Sequence, residues 1–253
     1  MPDVHDRIRD FWDADAETYD RSATHAASDP VEAAAWRATL RRHLPPASGD
    51  GRPHVLDAGA GTGAMTLLLA ELGYRVTALD LSEAMLGKAR DKANRAGLDG
   101  IDFVIGRADE PPKGPFDAIV ERNMLWTNPG PEGTLEAWRR VAAPGGTLLV
   151  MEGIHGGPKA ALRAKGLAAE AIRKAFRVAP DHHAPYDDEM LEQLPLAGAS
   201  TPEPLLAFVE GAGWLRVRLE RLRDVEWARR LAAPSRALAE LEAVPLYAVI
   251  AEA

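Results

Sequence analysis

The run Val55-Leu56-Asp57-Ala58-Gly59-Ala60-Gly61-Thr62-Gly63 takes an apolar strand straight into a turn of alternating glycines that opens a helix. Glycine lets the backbone approach a ligand closely, and a helix N-terminus presents free N–H groups. Asp57 places a carboxylate beside that turn. Seventeen residues after Gly63, Asp80 closes a second apolar run, where its carboxylate can accept hydrogen bonds from a ribose diol. Together these features suit an adenosine-containing ligand. Gly59, Gly61 and Ala64 also satisfy the relaxed dinucleotide fingerprint. Charge divides the two readings. A pyrophosphate wants no carboxylate at the turn, whereas a ligand with an ammonium and a carboxylate, such as S-adenosylmethionine, can use Asp57 together with the backbone.

Working outward, short β-branched runs alternate with helical stretches, which predicts a mostly parallel sheet with crossover helices. Val55-Leu56 is the first strand, Gly63 to Leu72 its helix, and Arg75 to Leu79 the second strand. Ser82 reads as an N-cap, with Met85, Leu86 and Ala89 on one face of the helix it starts. Ile101 to Ile105, Phe116 to Val120 and Thr147 to Met151 supply strands three to five, with a helix around Thr134 to Val141. Upstream, Ile8, Phe11, Trp12, Trp36 and Leu40 predict two helices joined around Ser22 to Pro30, and Pro45 to Pro53 reads as a linker. After Glu152 the rhythm breaks, and residues 153–200 read as an insertion. Pro202 to Gly213 is a helix, Leu215 to Leu222 a strand and Leu246 to Ala251 a closing strand.

The chain has 253 residues, which fits one large domain of this class. A hydrophobic fraction of 46% with 27% charged residues supplies an ample core and excludes disorder as the main state. A formal net charge of −8 makes a poor polyanion binder, and at 6% aromatics nothing interleaves stacking rings with Lys and Arg. Nucleic acid is therefore not an expected partner. The absence of cysteine removes thiolate metal sites and cysteine nucleophiles. With no apolar run near ~20 residues and no secretory pattern in the first dozen residues, a soluble cytoplasmic protein without a membrane partner is expected, as a monomer or homodimer.

The sequence resembles the class I S-adenosylmethionine-dependent methyltransferases of the small-molecule type. Leu56 to Gly63 is similar to that family's first motif, and Ala78-Leu79-Asp80-Leu81-Ser82 with Met85 to its second. Gly106-Arg107-Ala108-Asp109, followed by Phe116-Asp117, resembles the adenine-contacting turn and the fourth strand, and Pro144-Gly145-Gly146 the last core signature. The resemblance covers residues 54–152. It implies an α/β, Rossmann-like doubly wound sheet of about seven mostly parallel strands with an antiparallel last strand, plus N-terminal helices and a helical insertion. In this division residues 1–45 form a helical cap, 54–152 the cofactor-binding core, 153–200 a helical insertion or lid, and 201–253 the end of the sheet.

The same resemblance implies the cofactor S-adenosylmethionine and its contacts. Asp57, Gly59 and Gly61 would hold the methionyl part, and Asp80 the ribose hydroxyls. Leu81 and Met85 would lie against adenine, with Ala108 and Asp109 at its amino edge. The Arg122 backbone would approach the amino group, and Tyr19 would close over the cofactor and join the catalytic candidates.

The acceptor pocket is expected where segments leave the carboxyl ends of the strands. Asn123 and Trp126 follow the fourth strand, and His155 follows the fifth. His155 is a candidate general base as well as a substrate contact; its alternative is a solvent-facing loop histidine. His182, beside Asp181 and His183, is a candidate substrate-lid residue or part of an ordinary polar loop, and no metal is expected there. The expected function is methyl transfer to an O, N or C atom of a small molecule by direct displacement. Two rivals share the cofactor features: an enzyme that uses the same sulfonium without transferring methyl, and a non-catalytic adenosyl-ligand binding protein.

Overall fold

A computed structural model describes residues 3–47, 51–177, 186–233 and 235–253. The N-terminal part contains α1 (Val4–Asp15), a 3-10 turn at Tyr19–Arg21, α2 (Ala23–Ala26) and α3 (Pro30–His43). Pro30 opens α3 where no N–H is needed, and the Asp29 side chain accepts from the Val31 and Glu32 amides. The sheet region runs β1 (His54–Ala58), α4 (Ala64–Glu71), β2 (Arg75–Asp80), α5 (Glu83–Ala96), β3 (Ile101–Ile105), β4 (Phe116–Arg122), α6 (Pro131–Val141) and β5 (Ala142–Gly153). Ser82 caps α5 through the Met85 N–H, and Gly97 ends it in the left-handed conformation. Beyond β5 lie α7 (Lys159–Phe176), α8 (Asp188–Glu192), α9 (Glu203–Gly211), β6 (Leu215–Arg221), α10 (Arg223–Ala232), α11 (Arg236–Leu241) and β7 (Leu246–Glu252).

The strands form one seven-stranded sheet in the order β3-β2-β1-β4-β5-β7-β6. All pairs from β3 to β5 are parallel, and β7 is antiparallel to both its neighbours, as the sequence predicts. The order reverses between β1 and β4, so a crevice opens past their carboxyl ends. Both faces are covered, which is why β1 reads as continuous apolar sequence. Val55, Val120, Leu149 and Met151 pack with Trp36, Leu40, Met65 and Val225 beneath α3, α4 and α10. Leu56, Ile119, Leu148 and Val150 pack on the other side with Leu135, Trp138, Leu205 and Trp214 of the α6 and α9 layer. Among the described residues, no helix is long and apolar enough to cross a membrane.

Three details differ from expectation. The N-terminal loop contains the extra turn of α2. β5 begins at Ala142 rather than Thr147, because Ala142 pairs with Phe116 ahead of a register shift. The segment between β6 and β7 carries two helices, α10 and α11, that the sequence reading leaves out. The buried stripe of α10 is only Val225 and Ala228, set among charged residues.

Candidate functional site

The cleft is built first from the turn after β1. Gly59, Gly61 and Gly63 all take positive φ (73°, 53° and 88°), a region that L side chains rarely enter. The Gly59 and Ala60 amides donate to the Leu79 carbonyl at 2.8 and 3.0 Å, fastening the turn to β2. A Cβ on Gly61 would meet nothing within 4 Å, so this Cα faces open space. A Cβ on Gly59 would sit 2.5 Å from the Met124 side chain. Gly59→Ala is therefore expected to weaken cofactor binding at least tenfold, since left-handed strain of about 1–2 kcal/mol adds to that collision. Titration with S-adenosylhomocysteine checks this, and unchanged affinity would disprove it.

Asp80 stands at the end of β2, against the turn. Its Oδ2 accepts the Gly61 N–H at 2.7 Å and its Oδ1 the Ser82 N–H at 2.9 Å. Burial pushes its pKa up against the pull of those amides. Each oxygen keeps a further lone pair for a ligand hydroxyl. Gly59, Gly61, Asp80, Leu81, Met85, Ala108, Asp109, Arg122, Asn123 and Tyr19 all line one cleft. His5, Ile8 and Trp12 of α1 cover it.

The far wall is the 106–109 turn. The Ala108 carbonyl accepts from Trp138 Nε1 at 2.8 Å. Arg107 holds both oxygens of Asp109 at 2.9 and 2.6 Å and keeps its carboxyl below the usual range. The cap is tied down by carboxylates: Asp13 accepts from Ser82 Oγ at 2.5 Å, and Asp20 from Thr62 Oγ1 at 2.7 Å and Lys92 at 2.6 Å. Tyr19 stacks on His25 with ring centroids 4.2 Å apart, edge-on to Trp12. Arg122 donates to the Thr24 and His25 carbonyls, so its side chain is committed to the cap.

Asp57 is brought close but not into the lining. It lies buried behind the turn, its Oδ2 accepting from Thr66 Oγ1 at 2.5 Å. Burial pushes its pKa up to about 6, against the opposing pull of Thr66 and the Arg122 charge.

The acceptor candidates separate into two places. Asn123 reaches the cleft at a positive φ of 58°, with Oδ1 accepting the Gly153 N–H at 3.1 Å. Trp126 lies outside the lining, its Nε1 on the Asn123 carbonyl and its ring 5.6 Å from Tyr186 and 6.3 Å from His155. His155 lines a second cavity of about 760 Å³, bounded by α7 and residues 241–245. Burial and the Arg229 charge push its pKa down, so it is neutral at pH 7. His182 lies outside the described residues.

Three further side chains stand near these walls: Glu121 and Tyr186, to which the sequence reading gives no role, and Glu152, which it places only as leaving the fifth strand near the acceptor side. Glu121 and Glu152 end β4 and β5, each a carboxylate closing an apolar run, the same signal that marks Asp80. Tyr186 packs on Phe11, Trp12 and Trp126, and nothing in its polar surroundings marks it.

Comparison with known proteins agrees with this geometry. Residues 55–146 match the family described as Methyltransferase domain. Demethylmenaquinone methyltransferase of Tropheryma whipplei (strain Twist) is 36% identical over 149 residues, which are 58% of this chain and 59% of that protein. The chain thus spans about three fifths of that relative's length. Among solved structures, a SAM-dependent methyltransferase from Methanosarcina mazei superposes with a TM-score of 0.56 at 21% identity, over 85% of this chain and 96% of that one. The cyclase SpnF gives 0.56 at 18% identity, over 86% and 79%. Both show the fold. The glycine turn and the β2 aspartate thus lie within a segment, residues 55–146, that matches a methyltransferase domain, on a sheet whose fold the solved methyltransferase structure shares.

Proposed function

We propose that the protein transfers the methyl group of S-adenosylmethionine to an O, N or C atom of a small-molecule acceptor. The observation that carries this reading is the convergence of Asp80, the open Gly61 Cα and the 106–109 turn beneath α1, in the crevice where the sheet reverses. That donor and acceptor set fits the cofactor. The Asp80 lone pairs suit the ribose diol, and Gly59 and Gly61 allow close approach of the methionyl part. Leu81 and Met85 offer apolar surface to adenine, whose amino edge meets Ala108 and Asp109. Asp57 and Arg122 set opposite charges behind the methionyl end, and Tyr19 closes the cleft.

When bound, S-adenosylmethionine supplies an electrophilic methyl carbon on a sulfonium. The chain's part is to align the acceptor with it and, where needed, to take a proton. Asn123, Trp126, His155 and His182 are the proposed acceptor contacts. Neutral His155 is in the protonation state a base requires, and Tyr19 is the second catalytic candidate. A small acceptor agrees with the net charge of −8 and with the named activity of the T. whipplei relative.

The test has two stages. S-Adenosylhomocysteine is expected to raise the melting temperature while NAD leaves it unchanged; the reverse would sink the reading. Incubation with labelled cofactor and an acceptor panel should then yield S-adenosylhomocysteine. Accumulation of methylthioadenosine instead would favour a non-transferring enzyme, and binding without turnover a ligand-binding protein. The shared fold of SpnF keeps those outcomes worth measuring.

A further inference from the structure

The carboxyl ends of β4 and β5 hold a second pair of acids, outside the cleft lining. Glu121 pairs across the sheet with Val150, and Glu152 lies two residues further on, so both side chains share one face. Glu121 is 0% and Glu152 3% exposed. Backbone donors cover one oxygen of each. The Met124 and Leu125 amides donate to Glu121 Oε1, the second at 3.1 Å, and the Trp126 amide to Glu152 Oε1 at 3.1 Å. Both Oε2 atoms are buried and receive no N–H or hydroxyl from another residue. The two carboxyls instead face each other. Two buried carboxylates in contact cannot both stay ionised, so a proton belongs between them.

This pair holds a loop with two working sides. Asn123, Met124, Thr127 and Asn128 line the cofactor cleft, and Met124 is the residue a Gly59 side chain would strike. Trp126 points the other way, toward Tyr186 and His155. Its backbone is fastened by Glu121 at residues 124 and 125 and by Glu152 at 126.

We propose that Glu121 and Glu152 share one proton, and that this carboxyl–carboxyl hydrogen bond is the latch that positions loop 123–127 between the cofactor cleft and the acceptor side. Both are positioning residues. The latch stands on the loop geometry alone, while its effect on cofactor affinity rests on the reading of the cleft above.

Burial pushes both groups above the usual carboxylate range, Glu121 to about 7 and Glu152 well above its ordinary value. Among the groups facing them, Asp57 on β1 adds negative potential, and Tyr247 lies opposite Glu152 on β7. With folded values raised, the contribution is full below the ordinary Glu pKa of about 4.3 and is lost as pH rises through the folded values. As pH rises through the raised Glu152 value the shared proton leaves, two charges repel, and the loop is released.

The test compares the full-length wild type, Glu152→Gln, and the double variant Glu121→Gln/Glu152→Gln by amide hydrogen exchange at Met124, Leu125 and Trp126. Wild-type protection factors should fall by about tenfold or more as pH is raised from about 6 into the alkaline range. Glu152→Gln should hold its protection across that range, because its carbonyl keeps the Trp126 N–H while its amide donates permanently to Glu121. In the double variant two NH2 groups face each other, and protection should be lost at every pH. Parallel loss in wild type and Glu152→Gln would overturn the latch, as would a protected double variant; should the double variant not fold, the single-variant comparison decides. S-Adenosylhomocysteine affinity should track protection in each protein. Failure of every protein to bind it would overturn the cleft reading and leave the exchange result to judge the latch.

Discussion

Replacing Asp80 with alanine is expected to weaken S-adenosylhomocysteine binding by about ten- to a hundredfold. Hydrogen bonds to a charged group contribute roughly 1.5–3 kcal/mol, and each 1.4 kcal/mol is a factor of ten. The same carboxylate also orients the Gly61 and Ser82 amides, so its loss frees the turn that brings the open Gly61 Cα to the ligand. Asp80→Asn separates binding from folding. Burial raises the Asp80 pKa, which means that its charge destabilises the unliganded protein. A neutral amide of the same shape relieves that cost but can accept from only one of the Gly61 and Ser82 N–H groups, so the melting temperature should change little at pH 7 while affinity falls. Calorimetry with both variants decides: a change below about twofold, less than one such hydrogen bond contributes, would remove Asp80 from the ribose site.

The cleft was legible because its chemistry is local. Positive-φ glycines, the Ser82 cap and the strand-ending Asp80 each announce themselves within a few residues, and the sheet follows from alternating apolar runs. Asp57 shows where local reading stops. It precedes the turn and carries the right charge, yet along β1 it shares the face of Val55, so its carboxylate turns toward Thr66 of α4 and lies behind the lining. The Glu121–Glu152 pair depends on the register of β4 against β5, which neither segment reveals alone. Likewise α10 stays hidden: two buried residues make too narrow a stripe, and its arginine Arg229 is spent on Glu32, a partner at the opposite end of the chain. The second cavity depends on how α7 and residues 241–245 settle around His155, a matter of tertiary packing.

That hidden contact sets the largest expected loss of stability, at Trp36. The indole is fully buried, with the Arg122 and Arg229 guanidinium carbons 5.5 and 5.4 Å from its ring centroid. Its Nε1 donates to Glu32 Oε1 at 3.0 Å, and Arg229 Nε donates to the same oxygen at 2.9 Å. Trp36→Ala should cost about 3–5 kcal/mol as a cavity, plus about 0.5–2 kcal/mol for each cation that loses a ring face. Trp36→Phe retains an aromatic face but loses the N–H to the Glu32 carboxylate, roughly 1.5–3 kcal/mol, and leaves a smaller cavity than alanine does. Urea denaturation of the two variants orders these terms, and an alanine variant within about 1 kcal/mol of wild type would refute this packing, since it would lie below the cavity cost alone. The loss also reaches the cleft. Arg122 spans from this ring to the Thr24 and His25 carbonyls, so Trp36 connects α10 and α3 to the segment beside the cleft. Trp36→Ala should therefore weaken S-adenosylhomocysteine binding even below its melting transition, whereas Trp36→Phe should bind as wild type does.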